Sequence, residues 1–213
     1  MNQTQLLTQQ QQAIIPIAAF AAVGDLHHLN NALNHGLDVG LTINEIKEIL
    51  TQVYAYAGFP RSINALGIFM SILEERQQKG LNDKEGPAPS APIPMGNELL
   101  LLGTANQTKL AGEPVSGKLF DFAPAIDNYL KTHLFGDIFA RDNLSWQDRE
   151  IATIAMLAVI NGAEPQLKAH INIGMNIKLT ENQLRTLIDV LAKQVSIESA
   201  DRTQAALSQI LKK

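Results

Sequence analysis

Glu150 and His170 supply a carboxylate and an imidazole at a spacing suited to proton transfer. Glu150 lies at the start of one helical segment and His170 in the next, with a short connection around Gly162. Two helices joined by so short a link run antiparallel. Counting back from the turn sets Glu150 opposite residues near 174, so His170 is displaced by about one turn, roughly 6 Å along the axis. Both side chains can bridge that gap. A carboxylate beside an imidazole fixes its tautomer, which makes a proton donor and acceptor for chemistry near neutral pH. The spacing alone also fits a helix-dipole carboxylate and a half-buried core histidine.

A carboxylated substrate calls for a guanidinium fork, and Arg61, Arg141 and Arg149 are the candidates. Arg61 follows Pro60 at a helix start, where backbone donors also favour anions. Arg149 adjoins Glu150, so the two side chains point about 100° apart on a helix. Arg149 is therefore expected to pair with a neighbouring subunit or with solvent. Tyr54 and Tyr56 precede Arg61 closely, Trp146 flanks the start of the Glu150 helix with Phe135 and Phe139, and His133 sits on the 124–140 helix; Tyr54, Tyr56, Trp146 and His133 are candidate pocket residues. His27, His28 and His35 lack the spacing of a zinc helix, so no metal site is expected.

Composition removes several classes. There is no cysteine, which excludes thiol redox chemistry, thiolate metal sites and disulfides. The 17 basic and 21 acidic residues give a net charge of -4, and no Lys or Arg precedes Lys47. That leaves no basic arm for nucleic acid. No apolar run reaches the roughly 20 residues that a membrane helix needs. The apolar stretch from Ala13 to Val23 has no preceding positive charge and contains Pro16, so it is expected to be a buried helix in a cytoplasmic protein.

The elements that must position these groups are helical throughout. The pattern predicts helices near 8–23, 25–39, 42–57, 60–79, 97–110, 124–140, 145–160, 164–177, 180–194 and 199–212. Thr42 with Glu45, Thr180 with Gln183 and, less ideally, Ser145 with Asp148 have capping-box spacing. Gly40, Gly80 and Gly112 mark stops. Residues 82–96 carry Pro87, Pro89, Pro92 and Pro94 and are expected to run extended over the surface.

The chain also repeats itself. Gly24 falls on Gly162, an offset of 138 residues, and the same offset carries Leu29, Asn34, Gly36, Leu41 and Thr42 onto Leu167, Asn172, Gly174, Leu179 and Thr180. Two copies of one helical unit explain this best. The expected division is a first repeat at 1–80, a linker at 81–97 and a second repeat with leading helices at 98–213. The offset sets Gln12 against Glu150 and Ala32 against His170, while the Tyr-Ala-Tyr-Ala-Gly-Phe-Pro-Arg segment at 54–61 has no counterpart. Each copy keeps a different half, which points to one composite site per chain.

Arg149-Glu150, Gly162, Leu167, His170, Gly174 and Leu179-Thr180, in that order and spacing, resemble the carboxymuconolactone decarboxylase family, which includes the alkylhydroperoxidase D-like proteins. The segment from Tyr54 to Ser62 resembles the Tyr-x-Gly-x-Pro stretch of the same family. The resemblance implies an all-α fold of two such repeats and marks Glu150 and His170 as the acid/base pair. It implies cofactor-free decarboxylation or proton transfer on a small carboxylated lactone, anchored by Arg61 or Tyr54. A non-catalytic binding or scaffold role is the alternative. The family's thiol peroxidase activity is disfavoured, because Ala163 and Gln166 stand where relatives carry cysteines. Relatives with one unit per chain form rings of six, so two units per chain imply a homotrimer, with a dimer as the alternative.

Overall fold

The computed structural model describes residues 6–212. Its helices are α1 (Gln9–Val23), α2 (Leu26–Asp38), α3 (Ile43–Ala57), α4 (Phe59–Gln78), α5 (Asn97–Ala111), α6 (Lys118–Phe122), α7 (Pro124–Tyr129), α8 (Trp146–Val159), α9 (Glu164–Asn176), α10 (Glu181–Gln194) and α11 (Ile197–Leu211). A π-helical segment, Leu130–Ile138, continues α7. There is no strand among the described residues. The fold is all-α with two repeats. The 138-residue offset carries the starts of α2, α3 and α4 onto the starts of α9, α10 and α11, so each repeat has four helices: α1–α4 and α8–α11.

The same local chemistry builds both copies. Thr42 and Thr180 accept from the backbone N–H of Glu45 and Gln183, whose side chains reach back to the cap backbone. Each box satisfies two of the backbone donors that a helix start leaves free. Thr8 and Gln11 form a third box at α1. Ser145 accepts from the Asp148 N–H, but the reciprocal backbone bond is missing. A Cβ built on Gly36 would lie 2.8 Å from Ile17, and one built on Gly174 would lie 3.0 Å from Leu179. Glycine at these equivalent positions lets the helices approach closely.

After its four leading glutamines α1 is apolar on every face, and Ile15, Ile17, Ala18, Ala19 and Ala21 are fully buried. A helix of this kind belongs inside a core. α1 packs against α8, which is buried continuously from Arg149 to Ala158, and the two repeats share one hydrophobic core. No helix among the described residues is long and apolar enough to cross a membrane.

The proline-rich segment is an extended strap tied at both ends. Lys84 and Glu85 carbonyls accept from the N–H groups of Ile43 and Asn44, at 2.9 Å each, adding to the cap of α3. Ser90 and Ala91 donate to the Asp142 carboxylate at 2.7–3.0 Å. Arg76, at the end of α4, holds Asp83 of the strap and Asp38 of α2.

The sequence pattern predicts one helix over 124–140. The structure instead has α7 followed by the π-helical segment, and α6 precedes it where no helix is expected. Close packing against α5 accompanies the difference. A Cβ on Gly103 would sit 1.6 Å from the Lys131 carbonyl oxygen, and Asn106 Nδ2 donates to the Phe135 carbonyl at 2.8 Å. Gly103→Ala is expected to force these two backbones apart and destabilise the chain by about 1–3 kcal/mol, the usual range for overpacking. Thermal unfolding of the variant beside the parent measures this; an unchanged Tm would show that the contact is not tight.

Candidate functional site

Glu150 lies in the first turns of α8 and His170 in the middle of α9, antiparallel across the Gly162 turn. Gly162 has φ 80°, the left-handed conformation that glycine takes at least cost. The Nδ1–H of His170 donates to Glu150 Oε2 at 2.8 Å. An ionised carboxylate can only accept, so this bond keeps a proton on Nδ1 and leaves Nε2 as the nitrogen that can exchange a proton with the cavity. Glu150 is fully buried, and its Oε1 has no hydrogen-bond partner in the chain. A carboxylate placed only for structure ordinarily has both oxygens engaged.

His170 lines a cavity of about 680 Å³. Tyr56 lines it too, its ring edge-on to the imidazole at 5.6 Å between centroids. Burial, and then the charge of Glu150, push the Tyr56 phenol above its ordinary range. It is therefore a neutral wall of the site at any working pH. Tyr56 comes from the end of α3 in the first repeat, and Glu150 and His170 from the second. One chain thus brings the two halves within contact.

The other expected pocket residues lie elsewhere. Tyr54 stacks on Phe59 at 4.4 Å and lies 5.4 Å from His133, and it does not line the cavity. His133 pairs with Asp137 at 2.6 Å and is half exposed. Trp146 donates to the Phe139 carbonyl at 2.8 Å, lies under the Lys109 ammonium and borders a separate hollow with Arg141. The Arg61 guanidinium is laid over Gly24, at the left-handed C-terminal cap of α1. Among the described residues no three His, Asp or Glu side chains gather as metal ligands would.

Arg149 departs from expectation. It is buried within its own chain, not directed at solvent or a neighbour. Its side chain turns toward α3, where Nη2 holds Glu48 at 3.0 Å and Nη1 holds Gln52 at 3.2 Å. Arg141 grips the same Glu48 with two nitrogens, at 2.6–3.0 Å. Gln52 in turn donates to the Arg149 carbonyl and to Thr153. Adjacent residues of α8 thus face opposite tasks, Arg149 locking the repeats together and Glu150 reaching the histidine. Glu48 was not among the candidates, because nothing in its local sequence distinguishes it from a solvated helix residue.

The partners of Glu48 shift in opposite directions. Arg141, a third exposed, is raised by its bonds to Glu48, whereas burial pulls the fully enclosed Arg149 down. Burial would raise Glu48, but bonds from Arg141 and Arg149 outweigh it and hold the carboxyl below its ordinary value of 4.5. A carboxyl depressed on folding stabilises the fold fully above its unfolded pKa, and the effect fades as pH falls through the folded value. Helical signal followed during acid titration should therefore show stability falling below about pH 4.5, and Glu48→Gln should flatten that dependence.

The wall opposite His170 comes from α5, α6, α7 and the π-helical segment, through Gln107, Leu119, Phe120, Ile126, Leu134 and Phe135. Sequence reasoning did not find this wall. The side chains come from four stretches with no shared period.

The family model for carboxymuconolactone decarboxylases matches residues 3–70 and 124–208, the greater part of the chain. This chain belongs to the carboxymuconolactone decarboxylase family. The first matched segment runs from α1 into α4 and the second from α7 into α11, and together they contain Tyr56, Glu150 and His170. The match omits 71–123, the stretch that holds the strap, α5, α6 and much of the opposite wall. A search among curated proteins finds none that matches.

Proposed function

We propose that the chain is a cofactor-free acid/base enzyme that moves a proton on a small molecule, with His170 as the proton-transfer group, Glu150 as its positioning partner and decarboxylation of a carboxylated lactone as the first reaction to test. The observation that carries this reading is the buried Glu150–His170 bond with the histidine facing a cavity. In a decarboxylation of 4-carboxymuconolactone the bond to the carboxyl carbon breaks and carbon dioxide leaves. The electron pair passes into the unsaturated lactone, and His170 Nε2, which has taken up a proton from solvent before the substrate reacts, delivers it to carbon and returns to the neutral imidazole. Glu150 stabilises the charged imidazolium before delivery and holds its orientation after it. Tyr56 packs against the ring and keeps it directed into the cavity.

The test is carbon dioxide release from 4-carboxymuconolactone by the wild-type chain. Release above the uncatalysed rate supports the reading. No release discards the lactone as substrate and favours a binding role for the cavity. The reading extends to assembly as a homotrimer. Phe59, Ile63 and Met70 form an exposed apolar stripe along one face of α4 that self-association would cover. Light scattering in dilute solution would overturn this with a monomer mass.

A further inference from the structure

The cavity beside His170 is chemically one-sided. Among the described residues no Lys, Arg, Asp or Glu side chain lines it. Its polar groups are His170, Tyr56, Gln107, Asn161, Gln166 and Asn172, and the rest of the lining is aliphatic, aromatic or glycine. The charged side chains that the sequence offers the site are already committed. Glu150 bonds the ring from behind, and Arg149 and Arg141 are bound to Glu48. Arg61, the remaining candidate anchor, lies over Gly24. A carboxylate entering this space would lose its water and find no guanidinium or ammonium to replace it, which is costly. The volume of about 680 Å³ lies well inside the range of pockets for drug-sized ligands.

The source of the apolar wall is informative. Tyr56, Glu150 and His170 lie in the segments that match the family, whereas Gln107, Val115, Leu119 and Phe120 lie in the segment that does not. The proton-transfer apparatus thus lies inside the family-matched segments, and part of the surface that would meet the ligand lies outside them. α6 and α7 bury none of their own residues, and Leu119 and Ile126 are still exposed on them. An apolar molecule in the cavity would cover the faces that these two helices leave open.

From this we infer that the site takes an uncharged, largely apolar molecule carrying one hydrogen-bonding oxygen, a carbonyl or hydroxyl, set against His170 Nε2. The inference rests on the same site as the proton-transfer reading; it keeps His170 as the proton-transfer group and sets an uncharged ligand in place of the carboxylated lactone, so the two tests decide between the two substrates. It concerns binding, so it stands or falls separately from turnover.

The test is calorimetric titration with a matched pair of probes at pH 7, 2-naphthol and 2-naphthoate. They share the ring system and differ in charge. The wild-type chain should bind 2-naphthol about tenfold or more tightly than 2-naphthoate, since an unpaired carboxylate bears the cost of desolvation. Ala169→Trp, at an exposed position on the cavity lining, should weaken 2-naphthol binding by about tenfold or more by filling the space. Ile126→Lys, at a half-exposed wall position, should narrow the gap between the probes by giving the carboxylate a partner. Equal or tighter binding of 2-naphthoate to the wild type overturns the inference. So does absence of 2-naphthol binding, or binding that Ala169→Trp leaves unchanged. Turnover of 4-carboxymuconolactone without 2-naphthol binding would remove this inference and keep the catalytic reading. Selective 2-naphthol binding with no turnover of the lactone would do the reverse.

Discussion

Replacing His170 with glutamine is expected to lower turnover by about 10²–10⁴-fold, the usual contribution of a positioned acid/base. Glutamine is chosen because its amide can still donate to Glu150 Oε2, the bond that His170 now makes at 2.8 Å. Alanine at the same place would leave the fully buried Glu150 with neither oxygen bonded, and lost stability would then confuse the result. Carbon dioxide release and circular dichroism on the same preparations separate the two effects. Glu150→Gln should give a smaller loss, confined mainly to kcat, because it removes the charge that stabilises the imidazolium and leaves the cavity lining in place. Should His170→Gln turn over at the wild-type rate, the assignment of the histidine is wrong, whatever the substrate.

Glu48→Ala is expected to cost about 3–5 kcal/mol, the usual penalty for breaking a buried ion pair by removing one partner. The size follows from what remains. Arg141 is a third exposed and can recover water, but Arg149 is enclosed completely and would keep a charge with only Gln52 and a carbonyl beside it. For a chain of this size the loss corresponds to a fall in Tm on the order of 10 °C. Urea unfolding of Glu48→Ala, Arg149→Met and the double variant measures the coupling. The double variant should recover much of the loss, since it leaves no uncompensated charge in the core. Losses that simply add would show that Glu48 and Arg149 do not depend on each other. Tyr56 stands on α3 with Glu48, and Glu150 follows Arg149 on α8, so this pair also fixes the separation of the two halves of the site.

The repeat was legible in the sequence because its signals are local. Turn glycines, threonine caps and apolar spacing recur at one offset, and each acts within a few residues of itself. The four-helix order of each repeat follows from them. The Glu150–His170 contact was legible for a related reason. A short turn leaves two antiparallel helices little choice of register, so 20 residues of separation still specify a contact.

The rest depended on contacts between distant parts of the chain. Arg149 and Glu48 are 101 residues apart, and no local pattern tells a buried arginine from a solvated one. Arg61 has the composition and position of an anion anchor, yet its guanidinium lies on the bare backbone of Gly24. The π-helical segment packs where Gly103 approaches the Lys131 carbonyl, a pairing that periodicity does not encode. The sequence by itself therefore determined the helices of the two repeats, their repetition and the Glu150–His170 contact, because backbone hydrogen bonding and apolar periodicity are short-range. The tertiary structure alone decided which charges are spent on holding the repeats together and which walls face His170, because burial and charge pairing belong to groups that meet only after the chain has folded.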